Sequence, residues 1–275
     1  MMIPPPEPIR LRPGQQVSVA FGRPWKDAVI SLMEPGCGYT PWQYDDDRQE
    51  GDVLISVLDT QPHVFGCIEI IGPKTDDSPF SIDQKWILRR LPIVPDWLSL
   101  PDVHKPLGFE QAQNLLSILD SERQTYSQGF GIEPPTTAEA ARVILDSGGR
   151  CTHCDKQINL NRPDARGRIH THLAEANSFV GDHYSDWPAA LCTPCYGKMS
   201  AGGFINYLDF RFAGNPQCPR CRARRTAEYI RSYYIEDLPA DPSPWKFYNE
   251  EHRGPDDFGR WLCHRCHFVF SDVVQ

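Results

Sequence analysis

Residues 168–198 read RIHTHLAEANSFVGDHYSDWPAALCTPCYGK. Three histidines, His170, His172 and His183, precede one CxxC pair, and another pair, Cys151 and Cys154, lies just upstream. These residue types do two kinds of chemistry: a neutral imidazole takes a proton from water, and thiolates hold a metal ion. Eight of the ten cysteines fall into CxxC pairs: Cys151/Cys154, Cys192/Cys195, Cys218/Cys221 and Cys263/Cys266. Two thiolates on one tight turn supply half of a tetrahedral Zn²⁺ shell, so the pairs predict two structural zinc ions. A disulfide framework is disfavoured without a secretory signal, and redox CxxC motifs rarely come in fours. Gly214 and Pro216 reset the chain between the second and third pairs, which predicts sequential sharing, although spacing alone leaves other pairings open. Cys37 and Cys67 stand alone and read as small buried hydrophobes.

These residues must be positioned by regular elements. DVLISVL (52–58) and VFGCIEIIG (64–72) are rich in β-branched residues and read as neighbouring strands, with another through QKWILRRL. In GFEQAQNLLSILDSE, Phe109, Ala112, Leu115, Leu116 and Leu119 recur at helical spacing. SQGFGIEPP (127–135) has no periodicity and reads as a linker. Beyond it TTAEAARVILDSGG opens on a capping box, Thr136 with Glu139, and ends at Gly148 and Gly149, so a helix delivers the chain to Cys151. The expectation is an α+β multidomain chain: a β-rich domain over 1–126, the linker, a zinc domain over 136–213 and a second zinc domain over 214–275.

The formal net charge of −8 conceals an uneven distribution. Residues 1–135 carry 11 basic and 19 acidic side chains, residues 136–232 carry 13 and 9, and residues 233–275 carry 4 and 8. Screening confines exposed charges to about 8 Å in physiological salt, so a locally basic middle can meet phosphates despite overall acidity. Ordinary surface scatter explains the charge equally well. No run of eighteen apolar residues occurs, and prolines crowd the start, MMIPPPEPIRLRPGQQ. A soluble, cytoplasmic protein without membrane contact is expected.

The middle cysteines suggest a treble clef: a knuckle at Cys151 and Cys154, a strand ending near His170 to His172, a loop, and a knuckle opening a helix from about Cys195. In this order residues 148–212 resemble the HNH endonuclease family in its zinc-stapled ββα form. The resemblance implies that His172, closing the strand, is the general base of phosphodiester hydrolysis, with a divalent cation (Mg, Mn, Ni or Co) stabilising charge on the phosphate. The sequence departs from the family at Thr171, where an acid or His is usual, at Tyr196, where a second ligand is expected, and at Trp187, where the loop usually has Asn. Asp186 stands beside Trp187 and can take that place. His170, Asp182 and His183 offer replacement ligands, but Asp182 and His183 lie closer to Cys192 than the family spacing. In the competing reading His170 and His172, alternating along a strand, are solvent-exposed or hydrogen-bonded structural residues.

CPRCRARRTAEYIRSYYIEDL and GRWLCHRCHFVFSD read as the knuckles of a C-terminal zinc ribbon, with Trp261 before the second knuckle and a β-prone FVF after it. Arg220, Arg222, Arg224 and Arg225 crowd the first knuckle and suit phosphate contacts. His264 and His267 read as surface residues, since four thiolates complete the shell. GDVLISVLDTQPHVFGCIEIIGP, with Gly51, Asp52 and Gly66, resembles the EVE branch of the PUA-like superfamily, loosely over residues 18–125. That resemblance implies a PUA-like β-barrel whose aromatic pocket holds an extruded modified base, with Trp25, Trp42, Tyr44 and Trp97 as candidate walls. The Asp45–Asp47 run reads as a solvated loop. A reader, an HNH-like module and a zinc ribbon in this order resemble modification-dependent restriction nucleases. The leading expectation is therefore a defensive DNA endonuclease, with a homodimer left open. A non-catalytic reader or adaptor and a zinc-stapled protein-interaction module are the alternatives; steep salt dependence separates phosphate binding from the last.

Overall fold

A computed structural model describes residues 7–33, 41–43, 48–74, 81–98, 106–123, 136–175, 179–180, 183–231, 243–249 and 260–271, with the backbone alone described for 179–180, 183–184, 229–231 and 247–249. The chain divides into two compact units, residues 1–171 with 190–193 and residues 172–189 with 194–275. The fold is α+β.

The first unit is built on a five-stranded sheet. β1 (Val17–Gly22) runs parallel to β3 (Val53–Leu58), so the chain must cross over between them, and α1 (Trp25–Met33) makes that crossing. The short β2 (Trp42–Gln43) pairs antiparallel with β1; β4 (Val64–Gly72) and β5 (Ser81–Ile87) follow antiparallel on the other side, giving the order β2-β1-β3-β4-β5. Every residue of β3 is buried, as a strand covered on both faces must be. On one face Val17, Val19, Phe21, Val53, Ile55 and Val57 pack with Phe65 and Ile68 against Ala112, Leu115, Leu116 and Leu119 of α2 (Phe109–Arg123). The helical spacing of those last residues therefore reports a real core stripe. On the other face α1 buries Ala28, Val29, Ile30 and Leu32.

The sheet is open: β2 and β5 are its edges, and the PUA-like barrel expected from the sequence does not close among the described residues. The third expected strand also ends early, at Ile87; Leu88 and Leu91 are buried in a turn in which the Leu91 amide donates to the Leu88 carbonyl (2.9 Å), with Leu91 at φ 46°. The Gly51-Asp52 turn is tightly built. Gly51 sits at φ 89°, and the Asp52 carboxylate accepts from the amides of Gln16 (2.9 Å) and Gln49 (2.8 Å), holding the entry to β3.

Gly22 lies where α1 and β2 close on β1. A Cβ there would stand 2.5 Å from Ala28 Cβ and 2.6 Å from Trp42 Cζ3, neither the free end of a flexible chain. Gly22→Ala is expected to lower stability by about 2 kcal/mol through overpacking; a urea midpoint equal to that of the parent would contradict this crossing.

α3 (Thr137–Asp146) packs against α1, buries Ala138, Ala141, Ile144 and Leu145, and is capped as its sequence predicts: Thr136 Oγ1 accepts from the Glu139 amide (3.2 Å). The expected linker, 127–135, lies outside the described residues. After α3 come the Cys151 knuckle, a 3-10 turn (Ala165–Gly167) and β6 (Ile169–His172). A two-stranded β7 (Phe179–Val180) and β8 (His183–Tyr184) hairpin follows, then β9 (Ala189–Cys192), which pairs with β6, and α4 (Thr193–Ala201).

In the second unit α5 (Tyr207–Phe212) is capped by Asn206, whose side chain accepts from the Asp209 amide, and sets Tyr207 among aromatic rings. Tyr207 and Trp187 each meet Trp245 edge to face, with ring centroids 5.6 and 6.1 Å apart. β10 (Thr226–Arg231), β11 (Lys246–Asn249), β12 (Trp261–Cys263) and β13 (Val269–Phe270) form a second sheet in the order β11-β10-β12-β13. No helix among the described residues is long and apolar enough to cross a membrane.

Candidate metal centres and a histidine–aspartate pair

The eight paired cysteines gather into two groups, Cys151, Cys154, Cys192 and Cys195, and Cys218, Cys221, Cys263 and Cys266, the sequential pairing. Within each group one sulfur from every residue lies within 4.8 Å of the others. A tetrahedral ion with Zn–S bonds of about 2.3 Å requires sulfurs about 3.8 Å apart. The close pairs stand at 3.9 Å (Cys154/Cys192), 3.6 Å (Cys218/Cys266) and 3.5 Å (Cys221/Cys263), and none is a disulfide. Donor set and spacing both fit structural zinc. At Cys218 burial opposes ionisation, but the amides of Cys221 and Arg220 outweigh it and bring the thiol down to about 7. Burial pushes Cys263 up to about 12. Four crowded thiols do not all ionise until a cation neutralises them.

Three of the knuckles share one backbone device. The residue after the second cysteine, Asp155, Arg222 or His267, takes a left-handed conformation (φ 57°, 60° and 54°) and donates its amide to the carbonyl of the first cysteine at 2.8, 2.8 and 2.9 Å. The fourth pair differs: Cys192 ends β9 and Cys195 falls in the first turn of α4. The Cys151 knuckle is tied to β9, with the Thr152 amide donating to the Ala190 carbonyl (2.8 Å) and the Ala190 amide returning to Thr152 Oγ1 (3.0 Å).

β6 ends at His172, whose Nε2 lies 2.6 Å from Asp186 Oδ2. The other carboxylate oxygen, Oδ1, accepts from the backbone amides of Trp187 and Tyr207, both at 2.8 Å. Asp186 is buried and thereby pinned to the aromatic cluster of Trp187, Tyr207 and Trp245. With Nε2 donating to the carboxylate, the His172 lone pair resides on Nδ1, which has no partner among the described residues. Asp186 thus has both oxygens engaged, one toward His172 and the other toward two backbone amides.

His170 Nε2 lies 3.1 Å from Thr193 Oγ1. Burial, then the nearby Lys26 ammonium, hold its pKa below the usual histidine value, so the ring is neutral at pH 7. Lys26 itself donates to the Ile169 carbonyl (2.6 Å). Asp182 and the side chain of His183 lie outside the described residues, and so does Tyr44. Among the described residues no third group of His, Cys, Asp or Glu side chains comes together as a cation site.

The candidate base-stacking residues separate. Trp42 packs on Ala20, Leu54 and Ile71 and donates to Ser31 Oγ (2.8 Å), so it serves the fold. Trp25 is half-buried at the start of α1, and Trp97 is 45% exposed. None of the three lines the cleft of about 1000 Å³ on the first unit, which Arg10, Gln15, Gly51, Asp83, Gln84 and Trp86 help to form. Trp86 is the aromatic wall that sequence reasoning missed; its position on β5 was readable, but not that β5 is an edge flanking a cleft. Arg220, Arg222 and Arg224 are exposed, whereas Arg225 is committed to Asp209 (2.8 Å) and the Ser185 carbonyl (3.0 Å). Cys67 is fully buried, as read; Cys37 lies outside the described residues.

Fold and sites together define an α+β protein with two tetracysteine centres suited to zinc. Comparison with family models, curated proteins and solved structures finds no match for this chain.

Proposed function

We propose that the chain is a modification-dependent DNA endonuclease whose hydrolytic centre is an HNH-like treble clef built from the Cys151 knuckle, β6, β9 and α4. The observation that carries this reading is the His172–Asp186 pair. A buried carboxylate held by two backbone amides fixes one imidazole tautomer and leaves Nδ1 free to take a proton from water attacking a phosphodiester. Asp186 takes the place beside Trp187 at which the family resemblance expects an asparagine. A divalent cation would stabilise charge on the phosphate, and its ligands in this proposal are the sequence candidates His170, Asp182 and His183, of which His170 would have to release Thr193 to bind it. The second sheet with its tetracysteine centre is the zinc ribbon of this reading. The first unit is its reader, and the cleft beside Trp86, with Asp83 and Gln84 as polar edge-readers, is where an extruded base would lie.

Thr171 and Tyr196 favour a second reading, a reader or adaptor that keeps the fold without the chemistry. Zinc-loaded protein and its His172→Ala form, incubated with unmodified and cytosine-modified plasmid in Mg²⁺, Mn²⁺, Ni²⁺ or Co²⁺, decide between them. The nuclease reading expects cleavage that falls at least about 100-fold in His172→Ala, as loss of a general base requires. If neither form cuts while both bind DNA, the second reading stands.

A further inference from the structure

We infer that the second zinc centre carries a stacking platform for unpaired bases, so that this end of the molecule binds single-stranded nucleic acid. Phe268 follows the Cys263/Cys266 knuckle and is 37% exposed. Its ring lies nearly parallel to that of Phe270, at an interplanar angle of 10° and a centroid separation of 6.2 Å. Phe270 is buried against Cys218 and Cys263, so the zinc core anchors the inner ring and the outer ring faces solvent. The Arg220 guanidinium stands over Phe268 at 6.0 Å from its centroid, an approach set by the meeting of the two knuckles. β13 is the edge strand of its sheet, so no further strand covers it among the described residues.

Charge selects the partner. Residues 216–227 and 260–271 hold six arginines and no aspartate or glutamate. Arg225 pairs with Asp209 and Arg260 with Glu228, but Arg220, Arg222, Arg224 and Arg265 are exposed and have no ion-pair partner among the described residues. A zinc ion with four thiolates carries a charge of about −2, which these four unpaired arginines exceed. An exposed aromatic ring with one guanidinium beside it, on knuckles that carry three further unneutralised arginines, matches a strand with phosphates outside and a bare π-face at each base; in a duplex those faces are already stacked. An apolar protein partner would leave the arginines desolvated and unpaired. The inference does not depend on chemistry at His172.

The test uses the full zinc-loaded chain in its His172→Ala form, so that no strand is cut during measurement. Binding of labelled oligothymidylate, oligouridylate, an abasic strand of equal length and a duplex is followed by fluorescence anisotropy across a salt series. Binding of at least one base-bearing strand is expected, with affinity falling as salt rises. Phe268→Ala is expected to weaken it about tenfold, and Phe268→Trp to restore it. The abasic strand is expected to bind about tenfold more weakly than the base-bearing one and to be indifferent to Phe268→Ala. Preference between the thymidylate and uridylate strands assigns DNA or RNA. Unchanged affinity in Phe268→Ala with two zinc ions retained, equal binding of the abasic strand, binding of duplex alone, or displacement of the strand by a polyglutamate peptide at equal charge each overturns the inference.

Discussion

Replacing Cys218 by serine is expected to lower the zinc bound per chain from two ions to one and to unfold the second sheet while leaving the first standing. The cluster around this centre consists of Cys218, Cys263 and Phe270, with Cys221, Ala223, Trp261 and Cys266 packed against it. Most of that core is ligand, so without the ion little apolar surface remains to hold β10, β12 and β13 together. A structural zinc site contributes about 10–16 kcal/mol, against about 5–15 kcal/mol for the net stability of a whole domain. The five-stranded sheet has its own apolar cluster, from Val17 to Leu119, and does not depend on Cys218. Zinc content by mass spectrometry and proteolytic nicking after residue 226 report the two effects separately. Acid is expected to release zinc from both centres, because thiolates must be deprotonated to hold the ion and zinc is lost as pH falls. Retention of two ions by Cys218→Ser would disprove the assignment of the second centre.

The variants of Asp186 separate fold from chemistry. Asp186→Ala strips acceptors from two buried amides and leaves His172 without a partner, a loss of about 3 kcal/mol in a urea titration. Asp186→Asn keeps an oxygen for the Trp187 and Tyr207 amides, so the loss of stability is expected to be about 1 kcal/mol. Its amide nitrogen then faces His172 Nε2 and donates to it, which forces the proton onto Nδ1 and removes the lone pair the proposed reaction needs. Hydrolysis is therefore expected to fall about 10⁴-fold in Asp186→Asn with zinc content unchanged. Nuclease activity that survives this substitution would remove His172 Nδ1 from the proton step, whatever the metal.

Some elements were legible because they answer to local rules. The capping of α3 by Thr136, the stripe of α2, β3 and β4, and the CxxC knuckles themselves all follow from spacing within a short window. The left-handed residues after three of the knuckles were not read, because Asp155, Arg222 and His267 have no side chain in common and the turn is imposed by ligands on both sides. The packing of Trp42 on Ala20, Leu54 and Ile71 is not legible in the sequence, since a tryptophan's surroundings depend on which helix crosses over it.

The sequence by itself determined that eight cysteines form four CxxC knuckles, enough for two four-sulfur sites, and that His172 closes a strand. Knuckles and strand ends depend on residues a few positions apart, and such patterns survive any arrangement of the rest. Only the tertiary structure decided that the first sheet stays open among the described residues, with β2 and β5 as its edges. It alone also decided that Asp186 meets His172. That outcome rests on two amides, one of them 21 residues away at the start of α5, and long-range packing brings them to the same carboxylate.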